Sequence, residues 1–369
     1  MVNFRFYFQK FFFYLNSFNF KLQKFYKVYS LRNELSLELL LNKHLANHKN
    51  VIIPFKNALP LKKYDNNPIL KGGDPREWDE AGIYEPFIIF NGSKYLLYYE
   101  SRTYSKHLDW QIGVATANKI TGPWRKYEGN PILKYTSQVG DFDKQYVADP
   151  CVLYHKDKYH MWFDMHDGNT TRIGKAYSSD GLNWKKYKSE GKTTIILDLG
   201  KKSQWDREYV HCPEVYLWNN RFHMLYGAKG IGHFDYDTGL AIQSNDYEEK
   251  FYKWGQITTD EMLGKRKIIS RLQAGIIING IIITGLRVKS PNNKETTYIV
   301  FSDDGGKSWH KLSEPILNSG GKDEWDSEIF YGPNCWITSE NKLWTAYLGG
   351  HKRDLRSVGL ASMKIPKIK

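Results

Sequence analysis

Cysteine is scarce in this chain of 369 residues, which contains only Cys151, Cys212 and Cys335. Three thiols cannot all pair within one chain, and no CxxC motif is present. A disulfide framework and a structural zinc site are therefore disfavoured. Motifs typical of phosphate-binding loops, dinucleotide-binding turns, zinc proteases and α/β-hydrolases are also missing from suitable contexts, so nothing indicates a nucleotide-binding domain.

Long apolar runs are absent too, even from the aromatic segment 1–30, where Arg5, Lys10, Lys21 and Lys24 interrupt the Phe and Tyr residues. No small-residue cleavage site follows the apolar cluster, which argues against a secretory signal. Two interpretations stay open. Residues 1–30 could make a peripheral contact with an anionic membrane surface, or residues 1–50 could form a helical extension packed on the main domain. We expect a cytoplasmic protein, with membrane association as an alternative and secretion left open.

Acidic residues are outnumbered, with 40 Asp and Glu against 53 Lys and Arg, and the formal net charge is +13. A basic surface can attract nucleic acid, anionic lipid or an acidic glycan. Much of the excess falls in the first fifty residues, and no nucleic-acid-binding module is recognisable, so we predict no nucleic-acid partner. Aromatic residues are abundant at 15%, which suits both strand packing and stacking on sugar rings.

The main feature of the sequence is an internal repeat. An aromatic–Asp pair stands eight residues before a Pro at four places. The pairs begin at Trp78, Phe142, Trp205 and Trp325. Each Pro precedes two apolar runs around a polar turn, such as "FIIFNGSKYLLYYE", which is the pattern of a β-hairpin. The Asp of each pair is constant, and we interpret Asp79, Asp143, Asp206 and Asp326 as structural turn or cap residues.

Two further strands follow each hairpin. The third has small residues, as in "IGVATA" and "VGLASM", and the fourth begins at a Trp, as in "GPWRKY". A looser unit between positions 268 and 317 lacks the aromatic–Asp–Pro lead but keeps the same order of four strands. Five four-stranded antiparallel units predict an all-β fold, a five-bladed β-propeller over residues 51–369 preceded by the extension 1–50.

A repeated nonapeptide predicts how the ring closes. "KKYDNNPIL" at 62–70 and "RKYEGNPIL" at 125–133 are nearly identical, and the second is the fourth strand of the first unit. The last unit ends after only three strands, at "VGLASMKIPKIK". The copy at 62–70 is therefore predicted to supply the missing strand and close the ring as a latch, which leaves few unpaired sheet edges.

Candidate chemistry lies at the start of each innermost strand, because those strands line the axis of a propeller. The residues just before the repeated Pro are Glu85, Asp149, Cys212 and Gly332. These equivalent positions have diverged, unlike the structural Asp residues. Two carboxylates on adjacent blades fit glycosidic chemistry, which needs one protonated and one ionised carboxyl group. The alternative is that the Glu85 and Asp149 carboxylates are structural and accept hydrogen bonds from backbone N–H groups of the loops before Pro.

These repeated inner strands resemble those of the five-bladed glycoside hydrolases of families 43, 32, 68 and 130, over about residues 60–365. The resemblance implies that Glu85 in "YEP" holds the place of the base or nucleophile. It also implies that Asp149 in "ADP" tunes the acid or holds the substrate. The acid in those families is typically a Glu two residues before Pro in the third blade, but this chain has "HCP" there, with His211 at that position.

The identity of the acid therefore stays open. Glu214 lies on the same strand face as Cys212 and could have taken the role, His211 could have taken it, or the acid is lost. Loss would leave a non-catalytic glycan-binding propeller, or a transferase or phosphorylase of surface-polysaccharide metabolism that uses an activated donor. Such a donor needs cations, and Arg102, Lys229, Arg287 and His351 follow second strands.

Aromatic stacking on the carbohydrate substrate is expected from Trp162 and Tyr331. No metal or cofactor is expected from the residues, although the resemblance allows a structural Ca²⁺ in the axial channel. "SDDGGKSW" at 302–309 fits a sialidase box, with a shorter version at 178–184. In such folds this box is a turn between the third and fourth strands, remote from the active site.

Overall fold

The structure of the chain is a computed structural model. It describes residues 59–105, 108–230, 237–244, 250–258, 269–273, 275–289, 295–350 and 356–365, without the side chains of 269, 270, 289, 295 and 328–331. The predicted N-terminal extension, residues 1–50, lies outside the described residues. Within the described part, no helix is long and apolar enough to cross a membrane.

The described residues form an all-β structure of 23 strands. The first, β1 (Lys62–Lys63), belongs to the last blade. Blade one consists of β2 (Tyr84–Phe90), β3 (Tyr95–Ser101), β4 (Gln111–Ala117) and β5 (Arg125–Lys126). Blade two consists of β6 (Tyr146–His155), β7 (Lys158–His166), β8 (Thr171–Ser178) and β9 (Lys185–Lys186). A small hairpin, β10 (Lys188–Ser189) and β11 (Lys192–Thr193), follows blade two.

The other three blades follow the same antiparallel order. Blade three consists of β12 (Tyr209–Trp218), β13 (Arg221–Lys229), β14 (Asp237–Gln243) and β15 (Phe251–Gln256). Blade four has a divided inner strand, β16 (Ile269–Leu272) and β17 (Ile276–Ile278), beside β18 (Ile281–Lys289), β19 (Glu295–Ser302) and β20 (His310–Leu317). Blade five consists of β21 (Glu328–Ser339), β22 (Lys342–Gly350) and β23 (Ser357–Lys364), completed by β1. The predicted five-bladed propeller is confirmed.

The predicted latch is also confirmed. Lys62 and Lys63 pair with Ser362 and Ala361 of β23, and Leu70 forms a further bridge with Val358. An early segment of the chain thus completes the sheet formed by its last strands. The equivalent bridge in blade one joins Ile112 and Leu133, so both copies of the nonapeptide occupy the same place in their blades.

An asparagine explains why the nonapeptide is repeated. In blade one, Asn130 accepts the backbone N–H of Val114 at 2.9 Å and donates to its carbonyl at 2.9 Å. In blade five, Asn67 makes the same pair of bonds with Leu360, at 2.8 and 2.9 Å. Each side chain also donates to a buried tyrosine hydroxyl at 3.2 Å. The amide therefore replaces ladder hydrogen bonds where the fourth strand ends, as buried backbone groups require.

The recurring aspartates are structural, as predicted. Asp79, which is 1% exposed, accepts a hydrogen bond from the Tyr99 hydroxyl at 3.0 Å and forms an ion pair with Lys126 at 2.7 Å. Asp206 and Asp326 repeat this arrangement, each with a tyrosine and with a lysine of the fourth strand. Asp143 pairs with Lys186 and Thr193. Each carboxylate ties the entry of its blade to the outermost strand.

The sialidase-like boxes are turns between third and fourth strands, also as predicted. The Asp180 carboxylate accepts the N–H groups of Leu182 and Asn183 at 2.8 Å, and the Trp184 indole donates to the Gly181 carbonyl at 3.1 Å. Asp304 and Trp309 repeat the turn in blade four. These turns lie at the opposite ends of the strands from the repeated Pro residues, so they support the architecture and not the chemistry.

The latch can be tested with one amide. Replacing Asn67 with Ala removes three hydrogen bonds to blade five. At about 1 kcal/mol each, this should lower the free energy of unfolding by roughly 3 kcal/mol in urea denaturation. Asn66→Ala is the matched control, because Asn66 is the neighbouring residue and is exposed, and its side chain donates to the Tyr64 hydroxyl at 3.2 Å. Equal midpoints for the two variants would contradict the latch.

Candidate active site

A backbone irregularity places the candidate carboxylates at the axis. The pairing register shifts at the repeated Pro in β2, β6 and β12, where Glu85, Asp149 and Cys212 have φ values of 41°, 50° and 53°. Positive φ is rare for residues other than glycine, and β-bulges of this kind re-aim side chains near active sites. The equivalence predicted from the residue before Pro therefore has a common backbone geometry.

Five blades contribute to one narrow axial pocket. Its lining residues are Glu85, Pro86, Phe87, Asp149, Pro150, Pro213, Glu214, Arg271 and Asn334. Glu85, Asp149 and Glu214 were predicted from sequence, and the structure brings all three together. The free volume is only about 10 Å³, roughly that of one water molecule, because the Arg271 side chain lies among the carboxylates.

Arg271, on β16 of blade four, contacts three carboxylates from three other blades. Its guanidinium lies 3.3 Å from Glu85 Oε1, 3.3 Å from Asp149 Oδ1 and 3.5 Å from Glu214 Oε1. These four side chains are only 6–14% exposed. One Arg271 nitrogen, Nη2, lies within 3.5 Å of an oxygen of each of the three carboxylates. Any two of these three oxygens are therefore separated by at most twice that distance. Carboxyl separations in glycosidases are about 5–10 Å.

Residues just after the repeated Pro add two more polar groups. Asn334 of blade five donates from Nδ2 to Glu85 Oε2 at 2.7 Å. Its Oδ1 and Glu214 Oε2 are buried and have no hydrogen-bond partner among the described residues. Burying such atoms without partners is costly, so both are suited to meeting the polar groups of a ligand.

Two further carboxylates support the pocket from behind. Glu100, on β3, accepts the Asp149 N–H at 2.5 Å, and Asp164, on β7, accepts the Cys212 N–H at 2.7 Å. Each second-strand carboxylate thus holds the bulged residue of the next blade. Both are buried, at 6% and 3% exposed.

Burial shifts the proton affinity of this cluster. Desolvation raises the pKa of Glu85, and neighbouring Arg271 opposes that rise while Asp149 adds to it. Desolvation raises the pKa of Glu214 well above its ordinary value, again against Arg271. The pKa values of Glu100 and Asp164 are raised well above the ordinary range by burial and by the nearby Asp149. The cluster can therefore hold protonated and ionised carboxyl groups side by side.

His211 lies next to this cluster and does not line the pocket among the described residues. Burial lowers its pKa to about 4, and its Nδ1 is 2.8 Å from Cys212 Sγ. Ligand atoms of Asp164, His211 and Cys212 lie within 4.8 Å of one another. Two ligands of one tetrahedral zinc ion would be about 3.5 Å apart, so the short N–S contact fits a hydrogen bond better than a metal site.

Among the predicted cations that the structure describes, Arg287 is the one placed beside the pocket. It lies on β18 directly opposite Arg271, is 4% exposed, and lowers the pKa of Glu85 as a secondary influence after burial. Arg102 lies over Trp110, with its Cζ 5.0 Å from the ring centroid, and Lys229 lies over Tyr209, with its Nζ 5.7 Å from the ring centroid. Arg102 follows β3 and Lys229 is the last residue of β13, both at the pocket end, but neither is among the described lining residues.

The predicted stacking residues are placed differently. Trp162 is fully buried and packs edge-on against Phe222 of blade three, with ring centroids 5.0 Å apart. In this conformation it is part of the core between two blades and cannot meet a sugar. The side chain of Tyr331 and all of His351 lie outside the described residues.

Sequence reasoning missed Arg271, Asn334, Glu100 and Asp164. Glu100 and Asp164 had a signal, since both follow an aromatic run near the end of a second strand, in "YYE" and "WFD". Asn334 had one as well, because it follows Pro at the position that Glu214 holds in blade three. Arg271 had none, since its unit lacks the aromatic–Asp–Pro lead that aligned the others.

No family model matches the chain. Two uncharacterized proteins of Mycobacterium tuberculosis, from different strains, are 27% and 26% identical to it over 211 residues. Each match covers 53% of this chain and 64% of the relative, so the chain spans less than two thirds of the length of these relatives.

Solved structures show the likeness in fold. A β-1,2-mannobiose phosphorylase from Listeria innocua matches with a TM-score of 0.61 at 13% identity, covering 84% of this chain and 98% of that one. A thermostable family-43 glycoside hydrolase matches with 0.57 at 16% identity, covering 80% and 91%. Another structure described as a glycoside hydrolase matches with 0.63 at 13% identity, covering 85% and 94%. The chain thus has the fold of glycoside hydrolase and phosphorylase propellers.

Proposed function

We propose that the axial pocket cleaves a glycosidic bond. The observation that carries this proposal is the convergence of Glu85, Asp149 and Glu214, from three blades, on one buried guanidinium. Glycosidic cleavage uses two carboxyl groups in different protonation states that flank the scissile bond. Structures of the same fold are described as glycoside hydrolases and a phosphorylase, which supports the proposal at that level.

Glu85 is assigned the role of base or nucleophile. It accepts hydrogen bonds from Asn334 and from Arg271, and the Arg271 charge opposes the rise that burial causes in its pKa. An ionised carboxylate can attack the anomeric carbon or take a proton from water. Asp149 lies beside it on the same guanidinium and is assigned to holding the sugar and tuning the neighbouring proton donor.

Glu214 is assigned the role of proton donor to the leaving oxygen. Burial raises its pKa well above the ordinary value, so it keeps a proton nearer neutral pH, and its Oε2 is free to donate among the described residues. His211 is less suited to this step, because a pKa of about 4 leaves it unprotonated at neutral pH.

This assignment predicts a dependence on the leaving group. Glu214→Gln should slow cleavage of natural glycosides by roughly 10²–10⁴-fold, because their leaving oxygen needs a proton. The same variant should retain much more of its activity on 4-nitrophenyl glycosides, whose phenolate leaves without one. Kinetics on matched substrate pairs measure the difference. His211→Gln is the parallel variant, and a leaving-group effect confined to it would transfer the acid role to His211.

A phosphorylase or transferase acting on the same sugars is the second candidate. Arg271 and Arg287 are paired across adjacent strands at the pocket, and two guanidinium groups suit a phosphate co-substrate or leaving group. A sugar needs more room than the present free volume, so either function requires the Arg271 side chain to turn aside.

The deciding experiment is a panel of glycans and sugar 1-phosphates, assayed with and without inorganic phosphate. Cleavage without phosphate supports a hydrolase, and turnover that requires phosphate supports a phosphorylase. Saturable binding of a glycan with no turnover under either condition would identify a glycan-binding propeller and overturn the proposed catalysis.

A further inference from the structure

A second cavity lies at the opposite end of the propeller, between blades two and three. Asp149 and His155 are six positions apart on β6, which places this cavity about 20 Å along the strand from the axial pocket. Its volume is about 340 Å³, within the range of small-molecule sites. The lining residues are His155, Lys156, Lys158, His160, Lys175, Tyr187, Leu217, Asn220, Arg221, Phe222, Gln243 and Ser244.

The charge of this cavity is of one sign. Four of the twelve described lining residues are Lys or Arg, two are His, and none is Asp or Glu. The axial pocket, in contrast, has three carboxylates around one arginine. Two sites in one fold therefore differ in the charge of the ligand that they can accept.

The cations come from three different strands or turns. Lys158 begins β7, Arg221 begins β13, and Lys175 lies within β8. Lys175 is 2% exposed, and its ammonium lies over the rings of Trp162 at 5.2 Å and Tyr187 at 5.0 Å. A charged group held inside the protein on a rigid sheet is a feature of a built site rather than of a solvated surface.

The walls supply both donors and an apolar surface. Arg221 lines the cavity with a guanidinium that also donates to the Gln243 carbonyl. The planar fork of N–H groups on a guanidinium suits two oxygens of one phosphate. Phe222 and Leu217, which pair across β13 and β12, add apolar area to the wall. Several positive charges around a few hundred cubic ångströms suit a small dianion better than a neutral sugar or a single carboxylate.

We propose that this cavity binds a small phosphorylated ligand of the size of a monosaccharide phosphate. The phosphate meets Arg221 and Lys158, with Lys175 supplying positive charge from below, and the organic part lies against Phe222. This site is separate from the axial pocket, so it requires neither the catalytic carboxylates nor the reaction assigned to them.

Calorimetry with three probes tests the proposal: inorganic phosphate, glucose 6-phosphate and glucose. Glucose 6-phosphate should bind saturably, while glucose should not. Arg221→Gln and the exposed-site variant Lys158→Gln should each weaken binding at least about tenfold, or 1.4 kcal/mol. Lys94→Gln is the matched control, since Lys94 is an exposed lysine in the corresponding hairpin of blade one.

Each outcome decides the matter. Tighter binding of glucose 6-phosphate than of inorganic phosphate would support the proposal, and equal affinity for the two would overturn it by assigning the site to phosphate alone. No saturable binding of either, binding of glucose with equal affinity, or equal weakening in Lys94→Gln would overturn the proposal. Asp149→Asn should leave binding at this cavity unchanged. The calorimetry therefore tests the second site independently of the proposed glycosidic cleavage.

Discussion

Asp149→Asn should reduce turnover of the glycan substrate by roughly 10²–10⁴-fold while leaving the protein folded. The amide has the shape of the carboxylate but lacks its charge, and Asp149 contacts Arg271 at the centre of the pocket. Its main-chain N–H still donates to Glu100, so the bulge that positions the site is retained. Initial rates on the substrate found in the glycan panel, together with circular dichroism, measure both parts of the expectation.

The control for this variant is Asp157→Asn. Asp157 is exposed in the turn that joins the same two strands, at the end away from the pocket, and its positive φ of 59° suits asparagine. It should retain full activity. Full activity in Asp149→Asn would remove Asp149 from the catalytic set, and equal losses in both variants would point to the fold rather than to the site.

Arg271→Gln should destabilise the protein in a pH-dependent way. At pH 8 we expect the free energy of unfolding to fall by about 3–5 kcal/mol, because the change leaves buried carboxylates without their cation. Arg271 opposes the burial that raises the pKa values of Glu85 and Glu214, so these values rise further in the variant. Urea unfolding at several pH values measures the effect.

The direction of this pH dependence follows from proton binding. A carboxyl group with a raised pKa in the folded state holds a proton that the unfolded chain releases, so stability falls as pH rises above the ordinary value of 4.5. The deficit of Arg271→Gln should therefore be smallest near pH 5 and largest near pH 8. Arg125→Gln, an exposed arginine on β5, should show little change. A deficit that does not vary with pH would contradict the electrostatic account.

The repeat made most of the fold predictable. The spacing of eight residues between the aromatic and Pro identified four blades, and the duplicated nonapeptide identified the latch. These signals are reliable because each repeated residue makes the same local contacts in its own blade, as Asn67 and Asn130 do. Divergence at equivalent positions then indicated Glu85 and Asp149 as site residues.

The site itself was only partly predictable, because it depends on contacts between blades. Arg271 is distant in sequence from every carboxylate that it touches, and no repeat marks its strand. Trp162 shows the opposite problem. Its residue type suits sugar stacking, but only the packing of blade two on blade three shows that it is enclosed. Composition cannot distinguish a buried ring from one that faces a pocket.

A crystal structure of Asp149→Asn with its glycan tests the central claim most directly. The account predicts a sugar at the axis, with the anomeric carbon about 3–3.5 Å from the Glu85 carboxylate or from a water that it holds, and the glycosidic oxygen within about 3.2 Å of Glu214. The Arg271 guanidinium should have moved from its present position among the carboxylates. A glycan bound elsewhere, with Arg271 still filling the pocket, would contradict the account.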